Sequence, residues 1–252
     1  MQNIDTQLYT VSESGGKTVV SLRPSNMGEL LEGKLSPQDI IVGLTSINKA
    51  MQMAEIRNKL VCGCTDTQCQ MCRTECTQDD VFRAIPNGNE KAKVMFVNKA
   101  PSQYEALAML SHCDKTSVFL SLILDKMHVD RSDVYLTDII KCYRQQVDEP
   151  SLRICIEANL MKEIFLVNPE VIVFNGQNGL KTLIELGYIT GLNGDIAYGT
   201  IYNVTIGNAQ RKVMAMFDLE KVLQKTGDDY AKCKTTLWTQ ILTAFRATEN
   251  GG

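Results

Sequence analysis

A chain of 252 residues, 44% hydrophobic and 22% charged, has the composition of a globular protein with room for one large domain or a domain and an appendage. Its formal charge of −3 excludes a broad basic footprint, so any contact with nucleic acid has to come from a local patch. No apolar run reaches the length of a membrane span, and Met1-Gln-Asn-Ile-Asp lacks the basic-then-apolar order of a secretory leader. The expectation is a protein of a reducing, cytoplasmic compartment that makes no membrane contact.

Taken in order, residues 1–35 carry turn signals around one strand, Thr18–Leu22. Ser36-Pro37 reads as an N-cap and first-turn pair, opening a long helix over Ile40–Leu60. A cysteine-rich loop follows to about Glu90. From there strand and helix alternate. Strands are predicted at Val94–Val97, Val134–Ile140, Val171–Phe174, Thr200–Ile206 and Val213–Met216. Helices are predicted at Glu105–Leu110, Ser117–Met127, Pro150–Val167, from Gly179 to Leu186 and at Thr235–Ala247. Such alternation predicts an α/β fold with a parallel sheet between helices, and ligands gather at the carboxyl ends of such strands. The domain boundary is expected at 60/61, with an N-terminal extension over 1–60 and the sheet domain over 61–252.

Nine cysteines are present, five of them between Cys62 and Cys76. Without a secretory leader, metal binding explains that crowding better than disulfides do. Cys69-Gln-Met-Cys72 has ligand spacing, and Cys142 leaves a strand with Cys155 following on the next helix. Four thiolates at Cys69, Cys72, Cys142 and Cys155 suit a 4Fe-4S cluster, with Zn²⁺ as the chemical rival. Cys62, Cys64 and Cys76 remain alternative ligands, whereas Cys113 and Cys233 read as ordinary thiols. A bound cluster would deepen the net charge to about −5.

Five segments together resemble the iron–sulfur uracil-DNA glycosylases, the family-four and family-five branch, over about residues 69–245. Cys69–Cys72 precedes Asp80-Val-Phe-Arg83, where the family has Val-Phe-Gly. Asn98-Lys-Ala-Pro-Ser102 is similar to its Gly-Glu-Ala-Pro-Gly, and Val134-Tyr-Leu-Thr-Asp-Ile-Ile-Lys-Cys142 to its Val-Tyr-Ile-Thr-Asn-Val-Val-Lys-Cys. Pro169-Glu-Val-Ile-Val-Phe-Asn-Gly176 follows Pro-x-Val-Ile-Val-x-Leu-Gly, and Val213–Asp218 follows the line of Phe-His-Pro-Ser/Ala. The resemblance implies a three-layer α/β/α sandwich around a central, mostly parallel four-stranded sheet. It also implies a structural 4Fe-4S cluster and a DNA-facing pocket that includes Asn98, Ala100, Pro101, Ser102 and Asn175.

Uracil excision flips a nucleotide and breaks its glycosidic bond through a cationic sugar and a departing uracil anion. At each place where the family supplies help, this chain differs. Lys99 stands where the family has an acid and would repel the sugar cation. Asp138 replaces the asparagine that reads uracil; when ionised it only accepts hydrogen bonds. Asp218 replaces the histidine that stabilises the leaving base, and His112 falls near the stacking phenylalanine. Plainer uses also exist: Lys99 as a solvated loop lysine, Asp138 as a turn cap and Asp218 as a helix N-cap.

The leading expectation is a nucleic-acid- or partner-binding member that has lost efficient uracil excision. One alternative is an active DNA glycosylase of base-excision repair with altered base specificity. The other is a non-catalytic subunit that docks through residues 1–60. The expected partners are DNA, single-stranded DNA included, or a protein.

Overall fold

The computed structural model describes residues 9–14, 17–22, 37–62, 83–143, 147–193 and 195–249. Ser36 and the cysteine-rich stretch with Cys64, Cys69, Cys72 and Cys76 therefore lie outside the described residues. The chain divides into two compact units, Met1–Glu55 and Ile56–Gly252. In the first, β1 (Tyr9–Ser14) and β2 (Lys17–Leu22) form an antiparallel hairpin that closes with Ser14 opposite Lys17. Helix α1 (Pro37–Cys62) crosses from the first unit into the second. Within the second unit its last turns bury Ile56 and Leu60, and the Arg57 guanidinium meets Glu90 at 2.6 Å.

The second unit is built on a seven-stranded sheet. Its strands are β3 (Asn87–Gly88), β4 (Val94–Asn98), β5 (Tyr135–Asp138), β6 (Val171–Asn175), β7 (Ile189–Thr190), β8 (Tyr202–Ile206) and β9 (Ala209–Met216). They lie in the order β3-β5-β4-β6-β9-β8-β7. The central four, β5-β4-β6-β9, are parallel, and this is the expected four-stranded core. Antiparallel β3 on one side, and β8 with β7 on the other, raise the count to seven. Burial along β4 and β6 explains their apolar runs, Val94–Val97 and Val171–Phe174, because a parallel strand is covered on both faces.

The intervening helices are α2 (Gln103–Leu107), α3 (Lys115–Lys126), α4 (Glu149–Cys155), α5 (Met161–Val167), α6 (Gln177–Glu185), α7 (Leu219–Leu223) and α8 (Gly227–Glu249). A π-helical turn, Ile156–Leu160, joins α4 to α5. On one face, Val94, Phe96, Leu136, Val173 and Met214 pack with Phe119 and Leu120 of α3, Leu219 of α7 and Leu237 and Ile241 of α8. The opposite-facing Met95, Val97, Ile172 and Phe174 are also buried. On that side a Cβ at Gly179 of α6 would meet Ile139 Cδ1 at 2.9 Å and Phe174 Cδ1 at 3.5 Å. Glycine at 179 thus lets α6 approach the sheet closely. Helices cover both faces, giving the three-layer sandwich.

Candidate functional site

The chain leaves β4 for β5 on one side of the sheet and returns to β6 on the other. The carboxyl ends of β4 and β6 are therefore the switch point, the place where α/β sheets take ligands. Strand register brings the pocket residues to this edge. Asn98 lies opposite Asp138, and Asn175 lies opposite Met216, two residues before Asp218. Asn175 Nδ2 donates to Asn98 Oδ1 at 2.9 Å, and Asn175 Oδ1 accepts the Leu219 amide at 2.9 Å. These two contacts tie the ends of β4 and β6 to each other and to Leu219, just beyond β9.

The loop after β4 continues this edge. Lys99 is exposed, Ala100 half-buried and Pro101 buried. Ser102 caps α2 through a reciprocal box with Glu105: the Ser102 amide donates to Glu105 Oε2 at 2.7 Å and the Glu105 amide to Ser102 Oγ at 3.3 Å. The Ser-x-x-Glu spacing was visible in the sequence, but its consequence was not. It seats a second carboxylate, 2% exposed, beside the pocket, and burial raises the Glu105 pKa.

Asp138 is fully buried at the end of β5. The Ser111 hydroxyl donates to Asp138 Oδ2, while Oδ1 has no hydrogen-bond partner. Burial, reinforced by the Glu105 charge, pushes the Asp138 pKa up to about 7. His112 is 2% exposed and burial pushes its pKa down to about 3, so it stays neutral. It has a left-handed φ of 55°, and the carbonyl of His112 accepts from Arg131 Nη2. Ser111, 27 residues from Asp138, carries no sequence signal for this contact.

Asp218 takes the plainer role. As N-cap of α7 its Oδ1 accepts the Glu220 amide at 3.0 Å and the Lys221 amide at 3.2 Å. Asp218→Ala should therefore cost about 1 kcal/mol of stability, read as a lower denaturant midpoint at unchanged slope. Aromatic groups stand near the same rim. Tyr104 on α2 is 64% exposed, and Tyr198 packs edge-on against Phe217 at 5.0 Å beyond the end of β9.

Two of the four expected cluster ligands are described. Cys142 and Cys155 are both buried, and neither is in a disulfide. Arg83, the first described residue after the cysteine-rich stretch, bridges Cys142 antiparallel, and the Ala84 amide donates to the Lys141 carbonyl at 2.8 Å. Arg83 thus runs beside Cys142. Asn159 Nδ2 donates to the Cys155 carbonyl at 3.1 Å and lies 3.7 Å from Cys155 Sγ, a contact the sequence reading missed although its i+4 spacing permits it. Among the described residues alone, no three His, Cys, Asp or Glu are grouped to hold a metal.

Comparison with known proteins agrees with this architecture. The sequence profile described as "Uracil DNA glycosylase superfamily" matches residues 85–242. The chain is 24% identical over 159 residues to a type-4 uracil-DNA glycosylase of Archaeoglobus fulgidus, covering 62% of this chain and 79% of that protein. It is 28% identical over 147 residues to the type-4 uracil-DNA glycosylase of Pyrobaculum aerophilum, covering 56% and 74%. The type-4 uracil-DNA glycosylase of Thermotoga maritima is 23% identical over 120 residues, covering 47% and 62%. The matched region runs from just before β3 into α8 and includes the switch point at the ends of β4 and β6, so the chain belongs to the uracil DNA glycosylase superfamily.

Proposed function

We propose that this chain binds nucleic acid at the switch point and does not excise uracil efficiently. The observation that carries this reading is Asp218, whose carboxylate caps α7 at the position where the family stabilises the leaving base. An anion held there opposes charge build-up on uracil, and exposed Lys99 offers the sugar cation no counter-charge. For binding, Lys99 supplies a local cation, and exposed Tyr104 and Tyr198 supply stacking faces of the kind that hold single strands.

Membership of the iron–sulfur branch extends the proposal to a 4Fe-4S cluster held by Cys69, Cys72, Cys142 and Cys155. Its role is to pin the cysteine-rich segment to the loop and helix after β5. The same proposal keeps residues 1–60 as an extension available to a partner and 61–252 as the glycosylase-like domain. No helix among the described residues is long and apolar enough to cross a membrane. A second reading, an active glycosylase with altered base specificity, is favoured by buried Asp138 in the place of the base-reading asparagine.

The test is a titration of labelled single- and double-stranded oligonucleotides with the full chain, run beside iron and sulfide analysis. Binding that weakens with salt, in a sample holding four irons and four sulfides, is expected. No binding at low salt would overturn the nucleic-acid reading, and zinc in place of iron would overturn the cluster.

A further inference from the structure

The end of the sheet opposite the switch point carries an open apolar groove. β9 runs parallel to β6, so its first residues, Ala209–Arg211, lie at the amino ends of the central strands. There α5, β7, β8 and the turn between β8 and β9 line a cavity of about 620 Å³. Ile164 and Ile206 are its buried members, Met161 and Tyr188 are half-buried, and Phe165 of α5 stands 76% exposed beside them. No other large hydrophobic side chain among the described residues is as exposed. An aromatic ring in water and an apolar groove next to it both favour burial, and a single copy buries neither.

The same surface is charged in opposite senses at its two ends. Glu157, Met161, Phe165 and Asn168 recur at intervals of four, four and three along the helical run from the π-helical turn to the cap of α5, so they share one face. At one end, exposed Glu157 accepts from the Tyr188 hydroxyl at 2.6 Å. At the other, Arg211 donates through Nη2 to Asn168 Oδ1 and through Nη1 to the Gln210 carbonyl at 3.0 Å. In these contacts each charge meets only neutral groups. The two ends stand about 16 Å apart along the helix axis.

We propose that this groove is the interface of a symmetric dimer, in which Phe165 of each copy enters the groove of the other and Glu157 of each faces Arg211 of the other. A two-fold axis uses one patch twice, so the patch has to be complementary to itself. This one is, in shape and in charge. Its aromatic knob and its groove lie side by side on one face. An antiparallel pairing, with the axis passing between Met161 and Phe165, sets the negative end of one helix against the positive end of the other. A small apolar ligand in the groove leaves Phe165 in water and both charges unanswered. Because the groove lies at the amino ends of the strands, the dimer leaves the switch point of each copy free.

The experiment is sedimentation equilibrium of the full chain from about 1 to 100 μM, at low and at physiological salt. A reversible dimer that weakens with salt is expected. Phe165→Ala should raise its Kd at least about tenfold. Glu157→Gln, which keeps an acceptor for Tyr188, should raise Kd and flatten the salt dependence. Glu157→Lys and Arg211→Glu should each be monomeric alone. Mixed in equal amounts they should associate, because opposite charges then meet at both contacts, a recovery that loss of folding cannot imitate. A chain monomeric at every concentration overturns the proposal, as does a dimer that Phe165→Ala leaves unchanged. Charge variants that dimerise alone as well as the unaltered chain does, or that stay apart when mixed, overturn it too.

Discussion

A Lys99→Glu/Asp218→His double variant should excise uracil at least about 10²-fold faster than the unaltered chain under single-turnover conditions. The expectation follows from the two charges that the proposed function sets against the transition state. The departing uracil is anionic, and Asp218 at the end of β9 is committed by its contacts with the Glu220 and Lys221 amides to capping α7. Histidine at 218 removes that negative charge and supplies a donor. The sugar becomes cationic, and glutamate at 99 replaces repulsion with attraction. One such donor is typically worth about 2.7–4 kcal/mol of transition-state stabilisation. The two changes need not add, so each single variant is expected to gain less than half of the logarithmic effect. The double variant loses about 1 kcal/mol of capping, which leaves a domain of this size folded. An equal rate in the double variant and the unaltered chain would count against the assignment of these positions.

Glu163→Ala should destabilise the second unit by about 3–5 kcal/mol. Lys141 and Glu163 are 1% and 0% exposed, and their charged groups meet at 2.7 Å. Lys141 Nζ also reaches Thr137 Oγ1 at 2.5 Å and the Asp138 carbonyl at 2.8 Å, and the Thr137 hydroxyl donates to Glu163 Oε2. Removing the carboxylate strands a buried ammonium beneath the pocket and beside Cys142. A Lys141→Met/Glu163→Leu pair leaves no unpaired charge and should recover most of the loss. Urea denaturation of the three proteins decides the matter: a single variant as stable as the unaltered chain would show that the pair is not closed from water.

The sheet's center was legible because parallel strands buried on both faces leave unbroken apolar runs. Val94–Asn98 and Val171–Asn175 stand within a residue of their expected ends. The edges left weaker traces. Asn87–Gly88 and Ile189–Thr190 are too short for any period, and residues 209–212 of β9 are polar because they extend into the edge hairpin with β8. Likewise α8 begins at Gly227, eight residues before the expected Thr235, because its exposed first turns have few apolar residues to show. The same reason hid β1, whose Tyr-Thr-Val-Ser-Glu-Ser is mostly polar.

The candidate site was legible one residue at a time. Asn98, Asp138, Asn175 and Asp218 were each named from the resemblance; register sets Asn98 opposite Asp138 and Asn175 opposite Met216, and Asp218 follows as a helix cap. What the sequence could not carry was the pairing among them. Asn175 meets Asn98 across 77 residues, and Ser111 meets Asp138 across 27. The raised Asp138 pKa was hidden for the same reason, since it depends on burial and on Glu105 and Glu163 from other elements. For the proposed cluster, spacing suggested Cys69 and Cys72, which lie outside the described residues, and of the other two Cys142 is the one that Arg83 bridges.

The most direct test is a single-turnover assay of the unaltered chain on a uracil-containing single strand, with binding of the same strand measured on the same iron-containing sample. The account predicts saturable binding with excision at least about 10²-fold slower than that of the Lys99→Glu/Asp218→His variant. Rapid uracil release by the unaltered chain, lost on Asp218→Asn, would contradict it.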